Sequence, residues 1–109
     1  MSAPDFFSID MRVGTVVSAE PFPEARKPSI KLAIDFGPDL GVRRSSAQLT
    51  RRYEPDALVG RQVVAAVNLG TRRIAGFASE VLVLGGVPEE GDVVLLALDA
   101  PVPDGTRIA

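Results

Sequence analysis

The chain of 109 residues has no cysteine, no histidine and no tryptophan, and only 6% of it is aromatic. The first two absences remove disulfides, thiolate nucleophiles, Cys/His zinc sites and every histidine-based triad. A chain without cysteine also suits a reducing compartment. No apolar run approaches the roughly 20 residues that span a bilayer. The opening Met1-Ser2-Ala3-Pro4-Asp5-Phe6-Phe7 has neither the basic start nor the long apolar stretch of a signal peptide. These features lead us to expect a cytoplasmic protein with no membrane insertion. Glycine-rich phosphate loops of the P-loop or dinucleotide type are missing as well. The acidic pairs Glu89-Glu90 and Glu54/Asp56 fall beside proline or glycine, where solvation explains them. A serine nucleophile would have to recruit Lys31 or another unusual base. We therefore expect no enzyme, no cofactor and no metal site.

What is present is ordinary for a globular domain: 46% hydrophobic and 24% charged residues. The length fits one domain over residues 1–109, large enough to bury a single core. The net charge of −2 and pI near 5.0 conceal a polarised chain. Residues 41–76 carry Arg43, Arg44, Arg51, Arg52, Arg61, Arg72 and Arg73 against only Glu54 and Asp56. Residues 77–109 are correspondingly acidic. Such segregation can present a basic patch on an acidic protein.

Residues 5–12 read as a short helical turn or ordered arm. Phe6, Phe7, Ile9 and Met11 there suit either the core or a second subunit. Residues 13–20 are rich in β-branched side chains and read as a strand, with Gly14 marking a bulge or bend. Pro21, Pro23 and Pro28 bracket a loop. Residues 29–36 give the clearest strand, with Ile30, Leu32, Ile34 and Phe36 on one face and Lys31 and Asp35 on the other. After the turn signal of Gly37-Pro38-Asp39, residues 41–45 pair back as a third strand. Ser45-Ser46-Ala47-Gln48 matches a capping box, and Leu49 and Tyr53 follow four residues apart, which predicts a helical turn. Pro55 and Gly60 bound a second short turn. Further strands are expected at 62–68, 80–85 and 92–98, joined by a loop at 86–91 and followed by a turn-rich tail at 101–105. The tally predicts an all-β chain: a five-stranded OB-fold barrel with a short helical insertion, or else a small β-sandwich.

The candidate site is the stretch 68–84, centred on Arg72 and Arg73. A guanidinium fork offers several donors to a phosphate or carboxylate. Arg51, Arg52 and Lys31 join it by charge. Ser45 is either the helix cap or a ligand contact, while Ser46 is freer to meet a ligand. Asn68 either reads a base edge or satisfies a turn. Phe77 either stacks on a base or packs in the core. Gly76 would permit close approach of two backbones, or of a backbone and a ligand, and Ser79 offers a strand-edge hydroxyl.

Four ordered blocks, residues 10–20, 43–49, 60–69 and 72–80, together resemble the tRNA-binding domain appended to some methionyl- and phenylalanyl-tRNA synthetases. The resemblance runs from about Phe6 to Ile108, and 23–26, 43–53, 72–86 and 101–106 look like the stand-alone CsaA-type export chaperones of that family. It implies an OB-fold homodimer whose N- and C-terminal extensions build the interface, here Phe6, Phe7, Pro101, Val102 and Ile108. It also implies binding of unfolded or exported polypeptide. A tRNA-type surface would fall on Ser45, Ser46, Asn68, Arg72, Arg73, Gly76 and Ser79.

Overall fold

The computed structural model describes residues 3–109, and its core is built on the strand whose alternation is plainest in the sequence. Strand β2 (Ile30–Asp35) lies between β1 (Met11–Pro21) and β3 (Val42–Ala47). Its inward residues Ile30, Leu32 and Ile34 are essentially fully buried, and Phe36 follows them inward. Burying a side chain of this size stabilises the fold by roughly 1.5–3 kcal/mol relative to leaving it exposed. On the other flank of β1 lies β4 (Gln62–Ala66), and next to that β7 (Leu82–Val83). All four pairings in this five-stranded sheet are antiparallel.

The sheet curls until its outer strands meet. The Arg44 carbonyl of β3 accepts the N–H groups of Glu80 and Val81 at 2.8 and 3.3 Å. The buried Ser45 hydroxyl donates to the Val81 carbonyl at 2.9 Å. The result is a nearly closed barrel, as expected. Short helix α2 (Pro55–Leu58) plugs one side, with Pro55 in its first turn, Leu58 fully buried and Gly60 at φ 89 just beyond its end. Two hairpins decorate the barrel: β5 (Arg72–Ile74) with β6 (Phe77–Ser79), and β8 (Gly85–Glu89) with β9 (Asp92–Leu95). Helix α1 (Ala3–Phe7) supplies the expected ordered arm at the N-terminal end.

Several local expectations need correction. The capping box at 45–48 is not one. Ser45 and Ser46 are still in β3, and only one turn follows, closed by the Tyr53 N–H on the Leu49 carbonyl. The strand expected at 80–85 is only the two-residue β7, with Val81 before it buried and Leu82 52% exposed. Most of the loop expected at 86–91 is strand β8. The β1 bulge lies between Val16 and Ser18, not at Gly14. Gly14 instead serves packing, because a Cβ there would sit 2.7 Å from both Ile34 Cγ2 and Phe36 Cδ1.

The C-terminal tail returns along the barrel. Gly105 and Ile108 donate to the Val13 and Met11 carbonyls, and Val13 donates to Thr106. Gln62 grips both backbone groups of Val102, and the Thr15 hydroxyl donates to Asp104 at 2.6 Å. The tail thus extends its own chain's β1.

Gly14→Ala should cost about 1–3 kcal/mol through overpacking against Ile34 and Phe36. Urea unfolding of both proteins measures this, and an unchanged midpoint would show that the two side chains relax freely.

Candidate functional site

The β5–β6 hairpin sets the geometry. Its two-residue turn, Ala75-Gly76, has positive φ at both positions, 47° and 82°. That conformation matches the twist of a tight hairpin, and glycine adopts it without steric cost. Gly76 is exposed, with open space where a Cβ would stand, so its positive φ serves the turn and no second backbone of this chain approaches it. Arg72 and Arg73 are exposed on β5, and among the described residues neither makes an ion pair.

Beside the hairpin runs a furrow of about 710 Å³. Its walls include Ile74, Leu82, Leu84, Val87 and Val93, and its rim carries Arg26, Lys27 and Arg72. Ser46 lines it as well. Lys27 faces Glu90 across 3.7 Å, both well exposed, a pair that contributes little. The furrow follows the barrel's seam, where β3 residues 46–47 with Gln48 and Leu49 face β7 and Leu84.

On the other side of the hairpin lies a smaller cleft of about 220 Å³. The Lys31 ammonium sits 4.7 Å from the Phe22 ring centre and 5.3 Å from that of Phe77, and the Arg44 guanidinium is 5.2 Å from Phe77. Phe22 meets Phe77 edge-on at 5.4 Å. The half-buried Phe77 is therefore a packing residue that also carries two cations.

Other anticipated residues do structural work. Ser45 is fully buried and spends its hydroxyl on Val81. The Ser79 hydroxyl accepts the Ser46 N–H at 3.1 Å, stitching β6 to β3. Asn68 accepts the Asp10 N–H and donates to the Ser8 carbonyl, both at 2.9 Å, tying the N-terminal arm to the end of β4. Each end of its amide makes one such bond, which gives Asn68 the structural role anticipated for it at a turn.

Arg51 and Arg52 are claimed by the β8–β9 hairpin. Arg51 donates to Glu89 at 2.7 Å. Arg52 grips Asp92 with two N–H groups, its Nη2 at 2.8 Å. The Tyr53 hydroxyl accepts the Leu95 N–H at 3.1 Å. Three consecutive residues thus hold the hairpin that forms the far wall of the furrow. The hydrogen bonds from Arg52 hold the Asp92 carboxyl below its ordinary value of 3.8, against the desolvation that opposes them, and the same pairing raises Arg52.

The proposed interface residues are split. Phe7 is 53% exposed and meets Phe6 edge-on at 5.1 Å. Pro101 is exposed, while Val102 and Ile108 are half-buried on their own chain. Sequence reasoning missed the exposed apolar set Leu82, Val87, Leu96 and Leu98. The signal available was an apolar run at 93–98 too long to be covered by so small a barrel.

Because the Asp92 carboxyl is lowered in the folded state, its contribution is present above the unfolded carboxylate value. It is lost as pH falls through the folded one. Acid should therefore loosen the β8–β9 hairpin, and Asp92→Asn should loosen it at neutral pH and flatten the acid limb of the stability curve. Melting curves from pH 6 downward, read with exchange of the Leu95 amide, check this. Equal acid sensitivity in both proteins would exclude the pair as its source.

Residues 11–107 match the family model described as "Putative tRNA binding domain". Among solved structures, the chain is similar to the chaperone CsaA of Bacillus anthracis strain Ames, at 57% identity and a TM-score of 0.95, covering 100% of this chain and 98% of that one. It is also similar to the CsaA chaperone protein of Picrophilus torridus, at 42% identity and a TM-score of 0.91, covering 100% and 99%. It is 36% identical over 104 residues to the methionine–tRNA ligase of Methanococcoides burtonii, covering 95% of this chain and 15% of that protein. The chain therefore spans a small fraction of the ligases it matches. With the family model matched over nearly its whole length, the chain belongs to the tRNA-binding domain family.

Proposed function

We propose that residues 1–109 form a single domain that acts by binding alone: as a homodimer it holds unfolded or exported polypeptide, and it presents a tRNA-binding-type surface. The observation that carries this reading is one furrow of about 710 Å³ with apolar walls and the basic rim of Arg26 and Arg72. Unfolded chains expose apolar side chains that such walls can cover. Acidic side chains flanking them would meet the guanidinium groups. Full-length similarity to two proteins named as CsaA chaperones supports the same conclusion. No cofactor is needed for work of this kind. Among the described residues no helix is long and apolar enough to cross a membrane. The cytoplasmic location we propose rests on the cysteine-free sequence, which suits a reducing compartment.

A second reading, action in trans on tRNA or a synthetase, is favoured by one further feature. Arg72 and Arg73 are consecutive and exposed on β5, and among the described residues neither has a carboxylate partner. Ser46 lies close by on the furrow wall, and Lys31 opposite it in the β2–β3 register. Both ligands can use the same hairpin. The homodimer would form through the N-terminal arm around Phe6 and Phe7 and the tail at Pro101, Val102 and Ile108.

Equimolar protein should suppress aggregation of a chemically unfolded client, measured by light scattering. Unchanged scattering would exclude the polypeptide reading. For tRNA, affinity should fall steeply with salt, and Arg72→Ala with Arg73→Ala should flatten the slope by about one unit per lost phosphate contact. An identical slope in the double variant would remove these arginines from the surface. Sedimentation should give twice the chain mass of 11.5 kDa, and a single-chain mass at micromolar concentration would reject the homodimer.

A further inference from the structure

The β5–β6 hairpin divides two concavities of different chemistry. Arg72 and Ile74 border the furrow, whereas Phe77, paired with Ile74 across the hairpin, borders the smaller cleft of about 220 Å³. The furrow has aliphatic walls. The cleft is lined instead by Ser18, Glu20, Lys31 and Arg44 beside Phe77. Strand register explains that lining. Glu20 pairs with Lys31 and Ser18 with Ala33 across β1–β2, and Ala33 pairs with Arg44 across β2–β3. These side chains therefore leave the same face of the sheet. It is the outward face, because Ile30, Leu32 and Ile34 alternate with them into the core.

Two cations are gathered at this cleft. The Lys31 ammonium and the Arg44 guanidinium both lie within 5.3 Å of the Phe77 ring centre. Phe22, buried and edge-on to Phe77, gives Lys31 a second ring at 4.7 Å. The paired rings hold the ammonium in place. Like charges drawn to one ring repel each other, and an anion shared between them relieves that repulsion. The carboxylates nearby do so incompletely. Glu80 stands 3.7 Å from Arg44 Nε with both side chains partly exposed, a weak pair. Glu20 faces Lys31 in the register but makes no ion pair among the described residues. Among those residues neither cationic side chain donates a hydrogen bond, since the Arg44 bond to Glu80 comes from its backbone N–H.

We propose that this cleft is a phosphate subsite for RNA, in which Lys31 and Arg44 together clamp one phosphodiester while the strand continues over the hairpin toward Arg72 and Arg73. Arg44 offers a planar fork of donors, and Lys31 a compact charge with three. Glu20 repels an anion on the β1 side, which sets the phosphate toward Arg44. RNA suits the layout better than an acidic peptide does. Cations stand on both flanks of a hairpin whose strands are three residues long, and a nucleic acid carries an anion at every repeat. The exposed turn at Ala75-Gly76, with open space around Gly76, leaves room for a strand to cross. This rests on the tRNA-binding reading. It adds an anchoring phosphate on the opposite side of the hairpin from the furrow assigned to polypeptide.

The test titrates the intact protein with tRNA across a salt series, beside Lys31→Gln, Arg44→Gln, the double variant and Lys31→Arg. Each glutamine variant should bind more weakly, and the double variant should lower the salt slope by about one unit, the loss for one shared phosphate. Lys31→Arg keeps the charge and should keep the slope. An unchanged slope in the double variant, with tRNA still bound by the parent protein, would overturn the subsite and leave the tRNA reading in place. A loss of about two units would overturn the shared clamp. No binding of tRNA by the parent protein would remove both readings. Weakened suppression of client aggregation in the double variant, with tRNA affinity unchanged, would give the cleft to polypeptide instead. A measurement without substitution covers variants that fail to fold. A short oligoribonucleotide added to isotope-labelled parent protein should shift the Ala33 and Arg44 amide resonances at concentrations where inorganic phosphate does not. Equal shifts with both would make free phosphate the ligand and overturn RNA, and no shift with either would overturn the cleft itself.

Discussion

The structure depends on one carbonyl. The Arg44 backbone oxygen takes two N–H groups from residues 80 and 81 and thereby brings the first and last strands of a five-stranded sheet together. Ser45 reinforces the junction from inside and Ser79 from outside. A closed sheet has no free edges along most of its length, which a domain of this size otherwise has to protect. The furrow runs along this junction, beside a hairpin whose two arginines make no ion pair among the described residues. The scaffold and the proposed binding surface thus share the same few residues.

This economy explains why part of the chain was legible and part was not. The buried alternation of Ile30, Leu32, Ile34 and Phe36 is a local pattern, and it specified β2 directly. Pro55 and Gly60 bounded α2 through local backbone chemistry alone. The serines were misleading because a serine followed three residues later by glutamine has the same composition whether it caps a helix or ends a strand. Only the partner, Val81, decides the matter, and it lies 36 residues away. Asn68 is similar: its partners Ser8 and Asp10 belong to the N-terminal arm, 60 and 58 residues back.

The arginines give the sharpest contrast. Nothing in their immediate sequence distinguishes Arg51-Arg52 from Arg72-Arg73. The first pair is neutralised by Glu89 and Asp92, brought close by a hairpin about 40 residues downstream. The second pair makes no ion pair among the described residues, so its charge stays available. Charge counting located a basic region, and the fold sorted it into a structural half and a half open to ligand.

That division also sets how the molecule answers its surroundings. The barrel is held by buried apolar side chains and uncharged amide bonds, which ionic strength hardly touches. The wall formed by β8 and β9 is fastened by two arginine–carboxylate pairs with solvent-facing guanidinium groups, which mobile ions weaken. Rising electrolyte therefore acts selectively, slackening one side of the groove and masking its rim while the frame stays intact. If the groove holds a ligand as proposed, the electrolyte alone can then tune its grip while the barrel stays folded.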